Sequence, residues 1–238
     1  MTLARGMGRR GVLAGALALA GCQQPDTLPE STVPRLGPNR TGYIGIQAPI
    51  VNGLRDAFIT DVNRLLAENA SEIYVLITSP GGTISAAQDM IAFMDRTHAD
   101  RGTRFITHNV GVVASAACYV FLAGQRRLSV PRGTFLFHEA AVVTNGPITS
   151  QNLQEASLKI QQIERSFTNM LTTRTRLTAA EASSFTRRTV ILSADEARRD
   201  GIIEETAGFA LPQGATIFQI RAVANGAPPP VRRPETGG

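Results

Sequence analysis

The chain has 238 residues, 43% of them hydrophobic and 18% charged. That composition suits one ordinary soluble domain, or at most two small ones, and excludes a wholly disordered chain. No apolar run approaches the ~20 residues that span a bilayer, which excludes a multi-span membrane protein. The formal charge is +5, but Arg5, Arg9 and Arg10 supply three of those charges. The remainder is too small for a nucleic-acid footprint, so no nucleic-acid partner is expected. Arginine supplies every basic residue but one, and Lys159 is the only lysine.

Residues 1–21 read as an export signal, with Arg5, Arg9 and Arg10 as a positive start and Gly11–Ala20 as an apolar stretch too short to span. The stretch ends in Leu19-Ala20-Gly21-Cys22, which resembles the bacterial lipobox, in which the cysteine becomes the lipidated first residue. The alternative, a buried first helix, would have nothing to join, because Pro25, Pro29, Pro34 and Pro38 come next. Arg9-Arg10 before Val12-Leu13 partly resembles a twin-arginine signal. More than one acyl chain on Cys22 would anchor the protein stably, facing the periplasm. Gln23 in place of Asp after the cysteine points to the outer membrane by the enterobacterial sorting rule. One other cysteine, Cys118, sits in an alanine-rich apolar run and reads as a core residue. His98, His108 and His138 are too dispersed for a metal site, so neither a metal nor any other cofactor is expected.

Residues 22–40 are proline-rich and polar and read as a flexible tether. A domain is expected over 41–222 and a disordered tail over 223–238. Tyr43–Ile46 reads as a strand. Gly53–Ala67 carries Leu54, Phe58, Val62, Leu65 and Leu66 at helical spacing. Ile73–Ile77 is a continuous apolar run, as expected of a buried parallel strand, and Ser79-Pro80-Gly81-Gly82 breaks it. Next along the chain are a helix over Ile84–Met94, a strand over Arg104–Thr107, a helix over Ala114–Ala123 and a strand over Thr134–Phe137. Gln151–Arg174 forms a long helix with a stripe of Leu153, Ile160, Ile163, Phe167 and Met170. Thr178 and Glu181 make a capping box for a short helix, and Ser193–Asp200 forms another, stopped by Gly201. Ile203 and Thr216–Ile220 read as late strands. The alternation predicts an α/β fold.

Four pieces carry chemistry. Gly81-Gly82 lets the chain turn sharply after a buried strand and brings a bare N–H up to a substrate, although such a pair alone is often only a turn. Ser115 stands where an apolar helix opens, as an N-cap or as a nucleophile whose neighbouring N–H is free. His138 ends an apolar strand, where a histidine alone is more often a surface or core residue. The fourth is the late Ser193-Ala194-Asp195-Glu196-Ala197 helix.

Together, Ser79-Pro80-Gly81-Gly82, Ala114-Ser115-Ala116, Phe137-His138 and Leu192-Ser193-Ala194 resemble, in this order, the proteolytic subunit of the Clp protease, within the ClpP/crotonase superfamily. The resemblance covers roughly residues 42–205. It implies a fold of repeated strand–strand–helix units with a long handle helix, here Gln151–Arg174. It implies Ser115 as nucleophile, His138 as general base, and the N–H groups of Gly82 and Ala116 as the oxyanion hole. A peptide or unfolded chain would lie extended beside Gly81, Gly82, Thr83 and Ile84 and beside Ala140. Homo-oligomers joined through the handle helix are also implied. The spacing from Gly82 to Ser115 exceeds the family's by a few residues, placed in a loop at Thr97–Thr103. The spacing from Ser115 to His138 is slightly shorter, with the difference placed in a loop at Gln125–Arg127.

The triad acid of the family falls on Phe185, and no Asp or Glu lies between Glu181 and Asp195. Glu139 should point to the face opposite His138. Thr186, Thr189 or a partner chain are the candidates to orient the imidazole. His138-Glu139-Ala140 stands where the family often has His-Gln-Pro. Three functions remain: an envelope-anchored serine peptidase, a Ser–Lys dyad enzyme like the signal-peptide peptidases with Lys159 as base, and an inactive peptide-binding or scaffold lipoprotein. Leu158 and Ile160 flank Lys159, which argues from helix phase for a solvated lysine. A crotonase-type acyl-CoA enzyme is disfavoured, since an exported protein would meet little CoA. No phosphate-binding Gly-x-x-x-x-Gly-Lys motif is present, so any ATP-driven unfoldase would be a separate protein.

Overall fold

A computed structural model describes residues 33–142, 149–221 and 235–236. The lipobox and export signal lie outside the described residues. Six helices and nine strands alternate along the described chain, an α/β fold as expected. The strands are β1 (Thr41–Gln47), β2 (Glu72–Ser79), β3 (Arg104–Ala114), β4 (Arg126–Ser129), β5 (Thr134–Phe137), β6 (Val190–Ser193), β7 (Glu205–Thr206), β8 (Thr216–Arg221) and β9 (Glu235–Thr236). The helices are α1 (Asn52–Ala67), α2 (Ile84–Arg101), α3 (Ala116–Leu122), α4 (Ser150–Arg174), α5 (Ala179–Arg187) and α6 (Ala194–Arg199).

The sheet runs β6-β5-β3-β2-β1-β8-β9, with β4 paired to β3 and β7 paired to β4. The β1, β2, β3, β5 and β8 strands are parallel, and β6 and β9 close the two ends antiparallel. Alternation along β2 divides two cores. Ile73, Val75 and Ile77 join Leu54, Phe58 and Val62 of α1 and Met90 and Met94 of α2 in the main core. Leu76 faces the other way with Tyr43, Ala215 and Ile217, and Tyr74, Phe209 and Leu211 pack against them.

β3 is the element that positions the site. Its first half pairs with β4 and its last residues with β5, so the sheet forks there. At the fork Ile77 faces Asn109 but Ser79 faces Val113, which puts two extra residues in β3. Such bulges bend a strand and re-aim the residues beyond them. Asn109 fills the gap: its amide donates to the Thr134 carbonyl (3.0 Å) and its oxygen accepts from the Gly111 N–H (2.9 Å).

Several expectations need correction. Thr97–Thr103 is not an inserted loop: α2 continues to Arg101, and Gly102, at φ 68°, ends it. Gln125–Arg127 is not a loop either, because Arg126 opens β4. The strand expected at Arg104–Thr107 continues through the bulge to Ala114, so α3 begins only at Ala116. β6 was not foreseen, and Ile203 is a buried core residue ahead of β7 rather than a strand. The flexible tether does not extend to Arg40: the Arg35 carbonyl accepts from Thr216 N–H (2.9 Å), and Leu36 packs on the core. Of the tail from 223 onward only Glu235–Thr236 are described, and they pair with β8. No helix among the described residues is long and apolar enough to cross a membrane.

Candidate active site

Ser115 is the corner between β3 and α3, at φ 54° and ψ −129°. For a residue with a Cβ such a backbone costs on the order of 1–3 kcal/mol and persists only where the surroundings impose it. Here they do. Ser115 N–H donates to the Leu136 carbonyl of β5 (2.7 Å), and Cys118 N–H returns to the Ser115 carbonyl (2.9 Å). On the other side stands Gly81, at φ 91°, where a Cβ would lie 2.5 Å from the Ser115 Cβ and 3.0 Å from the Ala116 nitrogen. Only glycine fits between them.

The Gly81–Thr83 turn is pinned by Ile50, whose N–H donates to the Gly81 carbonyl (2.7 Å) and whose carbonyl accepts from Thr83 N–H (2.7 Å). This bridge leaves the Gly82 N–H unused, and a Cβ at Gly82 would strike the Ile50 carbonyl oxygen. The Ala116 N–H is likewise unclaimed, since the first residue of a helix has no intrahelical acceptor. Two bare amides therefore flank Ser115.

Both open onto a groove of about 690 Å³. Gly82, Thr83, Ile84, Ser115, Ala116, His138, Ala140 and Lys159 all line it, and so does the Thr186 hydroxyl residue. Gly81 does not; it is buried behind Ser115. An aromatic column forms the floor. Tyr119, one turn after Ser115, stacks on Phe167 of α4 (centroids 3.5 Å apart, planes within 6°) and meets Phe137 edge-on at 6.0 Å. Phe137 in turn meets Phe185 of α5 at 5.1 Å. The column locks α3, which Ser115 precedes, to β5, which His138 follows.

His138 is exposed, and its Nδ1 lies 2.7 Å from the Glu139 main-chain oxygen. A carbonyl only accepts, so Nδ1 carries a proton, and in the neutral ring Nε2 then holds the lone pair, the tautomer a general base needs. Phe185, at the position read as the family's acid, points into the aromatic column. Thr186 lines the groove, but its hydroxyl donates to the Ser183 carbonyl (3.0 Å) and lies 3.3 Å from the Thr168 hydroxyl. Thr189 is exposed between α5 and β6 and does not line the groove. Among the described residues the Nδ1 partner is thus a neutral carbonyl and not a carboxylate.

Lys159 is exposed, as helix phase argued, and it also lines the groove. Lys159, Ile163 and Phe167 repeat at i, i+4 and i+8, and this face of α4 lines the groove. Leu153, expected in the buried stripe, is 61% exposed, and Leu158 is 56% exposed. Tyr119, Gln88, Gln162, Glu164 and Ser166, none of them foreseen as site residues, also line the groove. For the α4 members the available signal was their position within the stripe already marked by Ile163 and Phe167. Cys118 is fully buried, its thiol directed at the Val113 carbonyl (3.2 Å), and burial pushes its pKa up, so it is a core residue. No metal-holding group of His, Cys, Asp or Glu occurs among the described residues.

The α/β sheet thus brings a strained serine, two bare amides and a histidine to one groove. Comparison with known proteins names the family. Residues 38–208 match the Clp protease family, and the chain belongs to it. It is 25% identical over 173 residues to an ATP-dependent Clp protease proteolytic subunit 2 of Prochlorococcus marinus (strain NATL2A), covering 71% of this chain and 83% of the relative. It is 28% identical over 176 residues to an ATP-dependent Clp protease proteolytic subunit 1 of Cutibacterium acnes (strain DSM 16379 / KPA171202), covering 72% and 78%.

Proposed function

We propose that the protein is a serine peptidase, anchored in the bacterial envelope by lipid on Cys22 and facing the periplasm, that hydrolyses short peptides or unfolded chains through an acyl-enzyme. The observation that carries the reading is the forced corner at Ser115, wedged against Gly81 and opening onto the groove that His138 lines. Ser115 Oγ attacks the scissile carbonyl carbon while His138 Nε2 takes its proton. The Gly82 and Ala116 N–H groups receive the developing oxyanion. The C–N bond breaks, His138 returns the proton to the leaving amine, and water repeats the sequence to free the acid. The Glu139 carbonyl holds the tautomer but brings no negative charge to the imidazolium, so turnover is slower than with a carboxylate. Substrate pairs as a strand beside Gly82–Ile84 and Ala140. Self-association along α4 fits the exposure of Leu153 and Leu158.

A second reading, an inactive peptide-binding scaffold, is favoured by the lack of a carboxylate on His138 Nδ1. A third, a Ser115–Lys159 dyad, is favoured by Lys159 lining the groove. Labelling of the mature protein with a fluorophosphonate probe separates the three, using the wild type and Ser115→Ala, His138→Ala and Lys159→Ala. Labelling lost with Ser115→Ala and His138→Ala and kept with Lys159→Ala supports the first reading. Labelling lost with Lys159→Ala and kept with His138→Ala supports the dyad. A folded wild type that never labels supports the scaffold.

A further inference from the structure

Besides the Tyr119 phenol, whose pKa burial pushes up, four ionisable side chains border the groove: His138, Glu139, Lys159 and Glu164. Glu164 is held by Arg187 at 3.3 Å and His138 is the base, while the Glu139 side chain borders the groove beside His138 rather than facing away from it, only its main-chain carbonyl being tied to the imidazole. Lys159 has no ion pair among the described residues, and no arginine lines the groove of this otherwise arginine-only chain. It projects from the wall of α4 on a flexible four-carbon stem. Gln162 and Ser166 lie at i+3 and i+7, adding neutral donors along the same stripe. A stripe of donors headed by one cation, beside the apolar wall of Ile163 and Phe167, presents an oriented place for an anion on the α4 wall, apart from the Glu139 carboxylate beside His138.

We infer that Lys159 is a specificity residue that receives a carboxylate of the bound peptide, so that the groove selects acidic peptides. The inference rests on the peptidase reading of the same groove. The carboxylate has two sources, an Asp or Glu side chain or the free C-terminus, and the chemistry at Lys159 is the same for both.

The test uses fluorescent peptides sharing one apolar sequence, with Glu, Gln or Lys at single positions and with a free or amidated C-terminus. Cleavage is measured with the mature wild type, Lys159→Gln and Lys159→Glu, and binding is measured by anisotropy on Ser115→Ala with and without Lys159→Gln. The wild type is expected to favour Glu over Gln about tenfold in kcat/KM at one position, or the free acid over the amide, chiefly through KM. Lys159→Gln removes the preference and Lys159→Glu turns it toward Lys. Equal handling of all peptides in rate and in binding overturns the inference. An equal fall in kcat for every peptide with Lys159→Gln also overturns it, by making Lys159 a proton-transfer group. Should no peptide be cleaved, the peptidase reading fails, while the binding preference on Ser115→Ala still decides the role of Lys159.

Discussion

Two histidines on opposite faces of the sheet show how differently one residue type is used. His108 of β3 is fully buried against Tyr74 and Phe209. Its Nδ1 lies 2.8 Å from the Tyr74 hydroxyl and its Nε2 lies 3.0 Å from the Ala207 carbonyl. Both nitrogens are spoken for, and burial holds its pKa below the ordinary value. Burial also raises the Tyr74 phenol to about 12, so the pair is neutral throughout the physiological range. His138 is exposed, has one nitrogen tied to a carbonyl, and has no partner for the other among the described residues. A satisfied histidine holds structure together. A half-satisfied one beside a groove is available for chemistry.

The largest effect expected from breaking this contrast is on rate. His138→Gln should lower peptide hydrolysis by on the order of 10⁴-fold and leave the denaturant midpoint in place; equal activity in a peptidase assay would remove His138 from the mechanism. Next comes the aromatic column beneath the groove on the His138 side. Phe167→Ala opens a void beneath Tyr119 and should cost about 3–5 kcal/mol in urea unfolding. A loss under 1 kcal/mol would mean that the column is not what locks α3 to α4. His108→Leu strands the Tyr74 hydroxyl and the Ala207 carbonyl, and should cost about 1–3 kcal/mol while the folded protein keeps its fluorophosphonate labelling.

The smallest effect is pH dependence. The folded pKa of His108 lies below its unfolded value of about 6.5. Above 6.5 the residue is neutral in both states. As pH falls below 6.5, the unfolded chain binds the proton first and stability declines until the folded pKa is passed. Urea midpoints at pH 8 and pH 5.5 should therefore differ more in the wild type than in His108→Leu.

Legibility in the sequence tracked the strength of the local pattern. The Ile73–Ile77 run is buried on both faces and reads as a parallel strand without context. Thr178 with Glu181 marked the start of α5 because a capping box is a local hydrogen-bond exchange, and both of its bonds are present. β4 begins with two arginines and exists because β3 and β7 pair with it, which no local property encodes. β6 buries only Leu192 well and is held by antiparallel pairing to β5. At the site, the four motifs pointed to Ser115 and His138 as neighbours of one groove. The exposure of Lys159 follows from helix phase, but its place at the rim of the groove depends on α4 packing beside Ser115 and His138, which no local pattern encodes, and Leu153 of the expected stripe is exposed. Phe185 could be read as a missing acid but not as a core residue, since that depends on Phe137 two elements away.

The fork in β3 carries a constraint of parity. The bulge adds two residues, an even number, so Val113 still presents to the same side of the sheet as Phe105 in the main core. Deleting or inserting a single residue between Asn109 and Val113 would exchange the two sides of the strand beyond it. Ala114 would turn inward, Val113 would face solvent, and the corner at Ser115 would be presented to the wrong half of space, with every side chain of the groove intact. Length changes of one residue at this fork are thus forbidden to any descendant that keeps the groove, while changes of two are open to it.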